Sequence, residues 1–174
     1  FEISNSNNND EFVYKQFDNG LLQRQRIRRR PGTIAIAAAI QNKYGIPVVP
    51  HVLCSGFTKE ETEYLLIDLQ FLGITNLLLL RGDKAKEDKR FRPTEGGHEH
   101  TTDLEVQVND YNNGKFVNGE KIEFIGEKFT YGVACYPEKH EEASNMKTDM
   151  EYFKRKIELG ANYGVTQMFF DNSK

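Results

Sequence analysis

Cysteine is scarce: Cys54 and Cys135 are the two in 174 residues. That is too few for a disulfide-stapled scaffold, and both are expected to be small buried thiols in a reducing compartment. No apolar run approaches the about 20 residues that a membrane-spanning helix needs. The longest largely apolar stretch, TIAIAAAI, has eight. The opening FEISNSNNND carries neither the basic n-region nor the apolar h-region of a secretory signal, so a cytoplasmic location is expected and a membrane partner is not. Neither sign of charge dominates, with a net charge of -3 and a pI near 5.9. No nucleic acid is called for, and the basic run from Arg24 to Arg30 reads as a solvated edge. There is no Walker loop and no G-x-G-x-x-G, so any nucleotide cofactor has to be held in another way.

What is present is an ordinary globular composition, 38% hydrophobic and 28% charged, and enough chain for one domain with a sizeable core. Neither an internal repeat nor a domain boundary interrupts residues 1–174, and a single domain is expected. The chain opens on Phe1 rather than Met and is expected to be a piece of something longer.

Residues 5–10, NSNNND, read as a loop, and EFVYKQ as a short extended segment or one helical turn. Pro31 is preset for the first turn of an alanine-rich helix that runs to about Tyr44, where Gly45 and Pro47 end it. IPVVPHVLC reads as a strand. Thr58 and Glu61 then form a capping box, opening a helix whose stripe is Leu65, Leu66, Leu69 and Leu72 and whose stop is Gly73.

ITNLLLL does not alternate, which predicts a strand buried on both faces, as in parallel sheets. A long loop follows from Arg81 to Gly97. Next come a helix from about Thr102 to Tyr111 with Leu104, Val108 and Tyr111 on one side, and an inserted hairpin around Asn118-Gly119. YGVACYP is a third strand. Thr148 is a candidate cap for a helix lined by Met150, Phe153 and Ile157 and closed by Gly160, and YGVTQMFFD is a fourth strand. Strands and helices in alternation predict parallel crossover units of an α/β fold.

The carboxyl ends of parallel strands form the site in such folds. The residues at those ends are His51 and Cys54, Arg81 and Asp83, Tyr136, Glu138 and His140, and Gln167 and Asp171. Any single one has an ordinary structural reading, since strands end at the surface; four together point to a shared rim. Arg81-Gly82-Asp83 also matches the cell-adhesion tripeptide, which requires an exposed loop on a secreted protein. In GGHEH, His98 and His100 flank Glu99 as if for metal, but no H-E-x-x-H pattern accompanies them. A solvated loop and no metal are expected.

Taken together, PHVLCSGFTKEET, NLLLLRGD, YGVACYPEKHEEASN and GANYGVTQMFFDN resemble the methylenetetrahydrofolate reductase family, in order and at sensible separations, from about Glu11 to Asn172. The resemblance implies an eight-stranded (β/α) TIM barrel that binds FAD. It implies reduction of 5,10-methylenetetrahydrofolate to 5-methyltetrahydrofolate, with NADH or NADPH as reductant. It further implies that His51, Leu80, Arg81, Gly82, Asp83, Ala134, Tyr136 and His140 contact the flavin. Asp149 and Lys156 do so from the following helix, as do His100 and Thr101 where the long loop enters its own. Asp83 is similar to the carboxylate that stabilises a cationic folate iminium, and Gln167 to the amide that binds folate or nicotinamide.

The family's general acid is a glutamate following a phenylalanine on the first strand, with two prolines soon after. Phe1-Glu2 resembles that pair without the prolines. Either FEIS is a remnant of strand one and Glu2 the proton donor, or it is strand two, placing Ser4 and Asn5 beside the flavin. A whole barrel implies two more strand-helix units and roughly 250 residues, and family habit implies a homo-oligomer. Two other functional classes remain: an adhesion or binding module displaying Arg-Gly-Asp, and a different flavin-binding barrel oxidoreductase.

Overall fold

The computed structural model describes residues 12–16, 22–26, 31–84, 90–123 and 126–170. Glu2, the expected loop at 5–10, Ser4, Asn5 and Asp171 lie outside the described residues. Two antiparallel strands open the described chain, β1 (Phe12–Gln16) and β2 (Leu22–Arg26), with Phe12 opposite Arg26 and Gln16 opposite Leu22. Of the two readings of this segment, Phe12–Gln16 is thus extended rather than helical. Part of the basic run, read as a mere solvated edge, is its strand partner.

The remaining elements alternate: α1 (Thr33–Tyr44), β3 (His51–Leu53), α2 (Lys59–Phe71), β4 (Asn76–Leu80), α3 (Thr101–Asn112), β5 (Thr130–Cys135), α4 (Met146–Leu159) and β6 (Tyr163–Thr166). β3 to β6 form one parallel sheet in the order of the chain. Strand order reverses partway across a doubly wound sheet, whereas in a (β/α) barrel each strand adds beside its predecessor. Sequential order with a helix between each strand and the next is therefore an arc of a TIM barrel.

One core cluster forms where helices meet sheet. Val52 and Cys54 on and just after β3, Leu77 and Leu79 on β4, and Tyr131 and Val133 on β5 join Leu66 and Leu69 of α2 and Leu104 and Val108 of α3. Strand residues of alternate parity face the other way. Across that face His51, Leu78, Gly132 and Tyr163 stand in register. Gly132 is required there by close approach, because a Cβ on it would lie 2.1 Å from the Tyr163 ring. The ring crosses β5, and its hydroxyl donates to the Leu77 carbonyl at 3.1 Å.

The α2 capping box forms as expected. Thr58 Oγ1 accepts from the Glu61 N–H at 3.1 Å and Glu61 Oε2 accepts from the Thr58 N–H at 2.8 Å. Leu66 and Leu69 are buried.

Three expectations need correction. The FVNGEKIEF segment makes a tight turn, Gly119 N–H to the Phe116 carbonyl at 2.9 Å, with a single bridge between Lys115 and Lys121 and no strands among the described residues. The cap of α4 is Asn145, whose Oδ1 accepts from the Thr148 N–H at 2.9 Å, so Thr148 lies inside the helix. Finally, Met150 and Ile157 do not line the inward face, being 54% and 41% exposed. The residues facing inward are Asp149, Phe153 and Lys156, at i, i+4 and i+7. Polar side chains occupy two of those three places because they serve the end of the sheet rather than the core.

Candidate active site

The chain leaves β4 through Arg81, Gly82 and Asp83. Gly82 has φ 86°, and a Cβ there would lie 2.4 Å from Ser55 Oγ, beyond the end of β3. Gly82→Ala is therefore expected to cost about 1–2 kcal/mol, measured by urea unfolding. Ser55→Gly in the same chain should restore only the part due to contact.

Arg81 is held on two sides. Its Nη1 donates to Glu142 Oε2 at 2.7 Å, and its guanidinium carbon lies 5.0 Å from the centre of the Phe91 ring. The hydrogen bond from Arg81 holds the Glu142 carboxyl below the usual carboxylate range. A guanidinium engaged in this way is not a freely displayed adhesion tripeptide, although Asp83 itself is exposed.

Beyond β5 the chain brings Tyr136 against His140, ring centres 4.7 Å apart at 87°. Burial pushes the Tyr136 hydroxyl up, with Arg81 opposing and Asp83 and Asp149 reinforcing. Burial also pushes the His140 imidazole down, helped by Arg81, which favours the neutral ring. His140 Nδ1 accepts the Glu142 N–H at 3.1 Å, so the neutral ring carries its proton on Nε2. The loop is pinned twice more. Asp149 Oδ2 accepts the His140 N–H at 3.0 Å, and Lys139, a non-glycine residue at φ 80°, donates from Nζ to the carbonyls of His140 and Ala143 at 2.9 and 2.7 Å.

Lys156 completes this group. Its Nζ donates to the Ala134 carbonyl of β5 at 3.0 Å. Burial pulls its ammonium down, while Glu105 and Asp149 hold it up.

Arg81, Asp83, Ala134, Tyr136, His140, Asp149 and Lys156 therefore share one neighbourhood at the carboxyl ends of β4 and β5. Leu80, half-buried, ends β4 beside them. Gln167 follows β6, its N–H bonded to the Cys135 carbonyl at 2.8 Å, at the same end of the neighbouring strand. His100 and Thr101 open α3; helices run against the strands, so that end faces the rim, and His100 is exposed while Thr101 is buried.

His51 does not sit at the carboxyl end of its strand. It is the first residue of β3, level with Leu78 in the middle of β4, because only three residues of the apolar run are strand and prolines precede them. Cys54 turns to the helix side, and burial drives its thiol up to about 12, the inert character expected of it. His98 is not part of a solvated loop: it is buried and bonded to Gln107 of α3.

Two residues of this region escaped the sequence reading. Glu142 lies within YPEKHEEASN, where nothing distinguishes it from its acidic neighbours before Arg81 meets it. Glu105 had a visible signal, a carboxylate inside the stripe of Thr101, Leu104, Val108 and Tyr111, and it is fully buried.

Residues 24–174 match the family model described as methylenetetrahydrofolate reductase. The chain is 33% identical over 138 residues to methylenetetrahydrofolate reductase 2 of Saccharomyces cerevisiae, covering 78% of this chain and 21% of that protein. It is 32% identical to methylenetetrahydrofolate reductase (NADH) 1 of Arabidopsis thaliana over 80% of this chain and 23% of the other. To the 5,10-methylenetetrahydrofolate reductase of Escherichia coli it is 30% identical, over 82% and 41% respectively. The chain thus spans less than half the length of each of these relatives. With the motif-bearing strand ends and the sequential parallel sheet in one stretch of chain, the match over residues 24–174 makes this protein a member of the methylenetetrahydrofolate reductase family.

Proposed function

We propose that this chain is part of a single barrel domain of a cytoplasmic flavoenzyme that reduces 5,10-methylenetetrahydrofolate to 5-methyltetrahydrofolate, drawing electrons from NADH or NADPH. The observation that carries the reading is the neighbourhood of Arg81, Asp83, Tyr136, His140 and Lys156 at one end of the parallel strands. Relatives from Arabidopsis and maize bear NADH in their names, which supports a nicotinamide donor here.

The donor set suits a flavin nucleotide. Arg81 and Lys156 are cationic, and His140 Nε2 and the Tyr136 hydroxyl are neutral donors, matching a pyrophosphate and a pyrimidine edge rich in acceptors. Gly82 brings bare backbone to the rim where a Cβ would collide with Ser55. FAD, when bound, supplies the hydride chemistry. Leu80, Ala134, His100, Thr101 and Asp149 shape its surroundings, and His51 approaches from the inner face of the sheet.

The chain's own groups handle charge and protons. Asp83, an exposed carboxylate on the rim, stabilises positive charge as the folate iminium forms. Gln167 offers an amide with both donor and acceptor to the folate ring or to nicotinamide. Glu2 is proposed as proton donor to the folate nitrogen.

Purified full-length protein is expected to be yellow, with near-equimolar flavin. Its colour should bleach anaerobically with NADH or NADPH and return on adding methylenetetrahydrofolate. Protein that stays colourless after reconstitution with FAD overturns the reading. Flavin that bleaches but is never reoxidised by the folate assigns the chain to a different barrel oxidoreductase.

A further inference from the structure

Glu105 places a carboxyl group inside the core, with no exposed surface, and both of its oxygens are buried without a hydrogen-bond partner. A buried carboxyl without a hydrogen-bond partner ionises only where a cation lies close enough to offset its lost hydration.

α3 and α4 each return the chain from the carboxyl end of one parallel strand to the start of the next, so the two helices run side by side in the same direction. They are tied near their far ends, where Asn109 Nδ2 donates to the Leu159 carbonyl at 2.7 Å and Asn109 Oδ1 accepts from the Tyr131 hydroxyl at 3.1 Å. One turn back along α3 from Asn109 is Glu105; about one turn back along α4 from Leu159 is Lys156. The tie therefore brings the Glu105 and Lys156 side chains to the same level, between helix layer and sheet.

Lys156 uses one of its three donors on the Ala134 carbonyl. The groups that face Glu105 are Lys156 from α4, Tyr131 from β5 and Cys54 after β3. Those facing Lys156 are Glu105, Asp149, Cys135 and Arg81.

We propose that Glu105 is a positioning residue, the buried counter-charge that keeps Lys156 cationic and its ammonium directed to the Ala134 carbonyl at the rim. Arg81 and burial both work against a charged lysine there, and Asp149, which also supports the charge, holds the His140 N–H through Oδ2 as well. A carboxylate behind the lysine offsets them without occupying the rim itself. Electrostatics agree in direction: Glu105 is the leading influence holding the Lys156 ammonium up, and Lys156 pulls against the burial that raises Glu105.

The test uses full-length protein and Glu105→Gln, with two readouts. Competitive acetic anhydride labelling, read by mass spectrometry between pH 7 and 11, reports where Lys156 loses its proton. The variant should shift that midpoint down by about one unit, while other lysines keep theirs. An unmoved midpoint overturns the proposal, as does an equal shift of all lysines, which would signal general loosening.

The second readout, FAD affinity against pH, rests on Lys156 being a flavin contact, as proposed above; the labelling readout does not. If labelling shifts and the variant's FAD affinity begins to fall at lower pH than the wild type's, both readings stand. If labelling shifts and FAD affinity is unchanged throughout, the counter-charge stands and the flavin contact falls. Should Glu105→Gln fail to fold, Glu105→Asp provides the same labelling test: shortening the side chain should lower the midpoint by less than removing the charge, and an unmoved midpoint counts against the proposal.

Discussion

Asp83→Asn should leave flavin bound and its reduction by nicotinamide nearly intact, while slowing reoxidation by methylenetetrahydrofolate about 100-fold. The asymmetry has a simple origin. A carboxylate on the rim lowers the energy of positive charge, and positive charge develops on the folate as its iminium forms, not on the nicotinamide half of the cycle to the same degree. Asparagine keeps shape and hydrogen bonding but removes the charge. Rapid-mixing kinetics of the two half-reactions, followed by flavin absorbance, separate them. Equal slowing of both would remove Asp83 from this role and leave it a general contact.

The second large effect concerns stability. Burial raises the Glu105 carboxyl from 4.5 to about 7, with Lys156 acting in the opposite direction. A raised carboxyl means that the folded chain holds this proton more tightly than the unfolded chain does. Stability from that proton is fully present below pH 4.5 and is lost as pH rises through 7, about 3 kcal/mol in all. Glu105→Gln cannot titrate. The stability difference, variant minus wild type, should therefore grow in the variant's favour by about 3 kcal/mol between pH 4.5 and 8, with the groups that Glu105 does not influence cancelling. Urea unfolding of both proteins across that range checks it, and parallel pH profiles would contradict the assignment.

Much of the fold was legible because its signals are local. The capping box at Thr58 and Glu61 needs only four residues of chain. The unbroken LLLL of β4 reports burial on both faces, and Gly45 and Gly73 mark stops that only a left-handed residue makes easily. What the sequence left open or misread fell where a partner decides the outcome. Phe12–Gln16 is a strand because Leu22–Arg26 pairs with it, and neither segment declares that alone. The inward face of α4 was misread because Met150 and Ile157 are apolar, whereas its contacts with the rim turn Asp149 and Lys156 inward.

By itself, then, the order of residues determined the alternation of elements, the family and several of the polar strand ends, because periodicity, caps and motifs are carried by residues near one another in the chain. Only the tertiary structure decided which of those ends meet. Arg81 finds Glu142 sixty-one residues away, His51 stands level with the middle of β4, and Glu105 is buried in the core. Charge and burial at such a site depend on distance in space, and distance along the chain does not encode it.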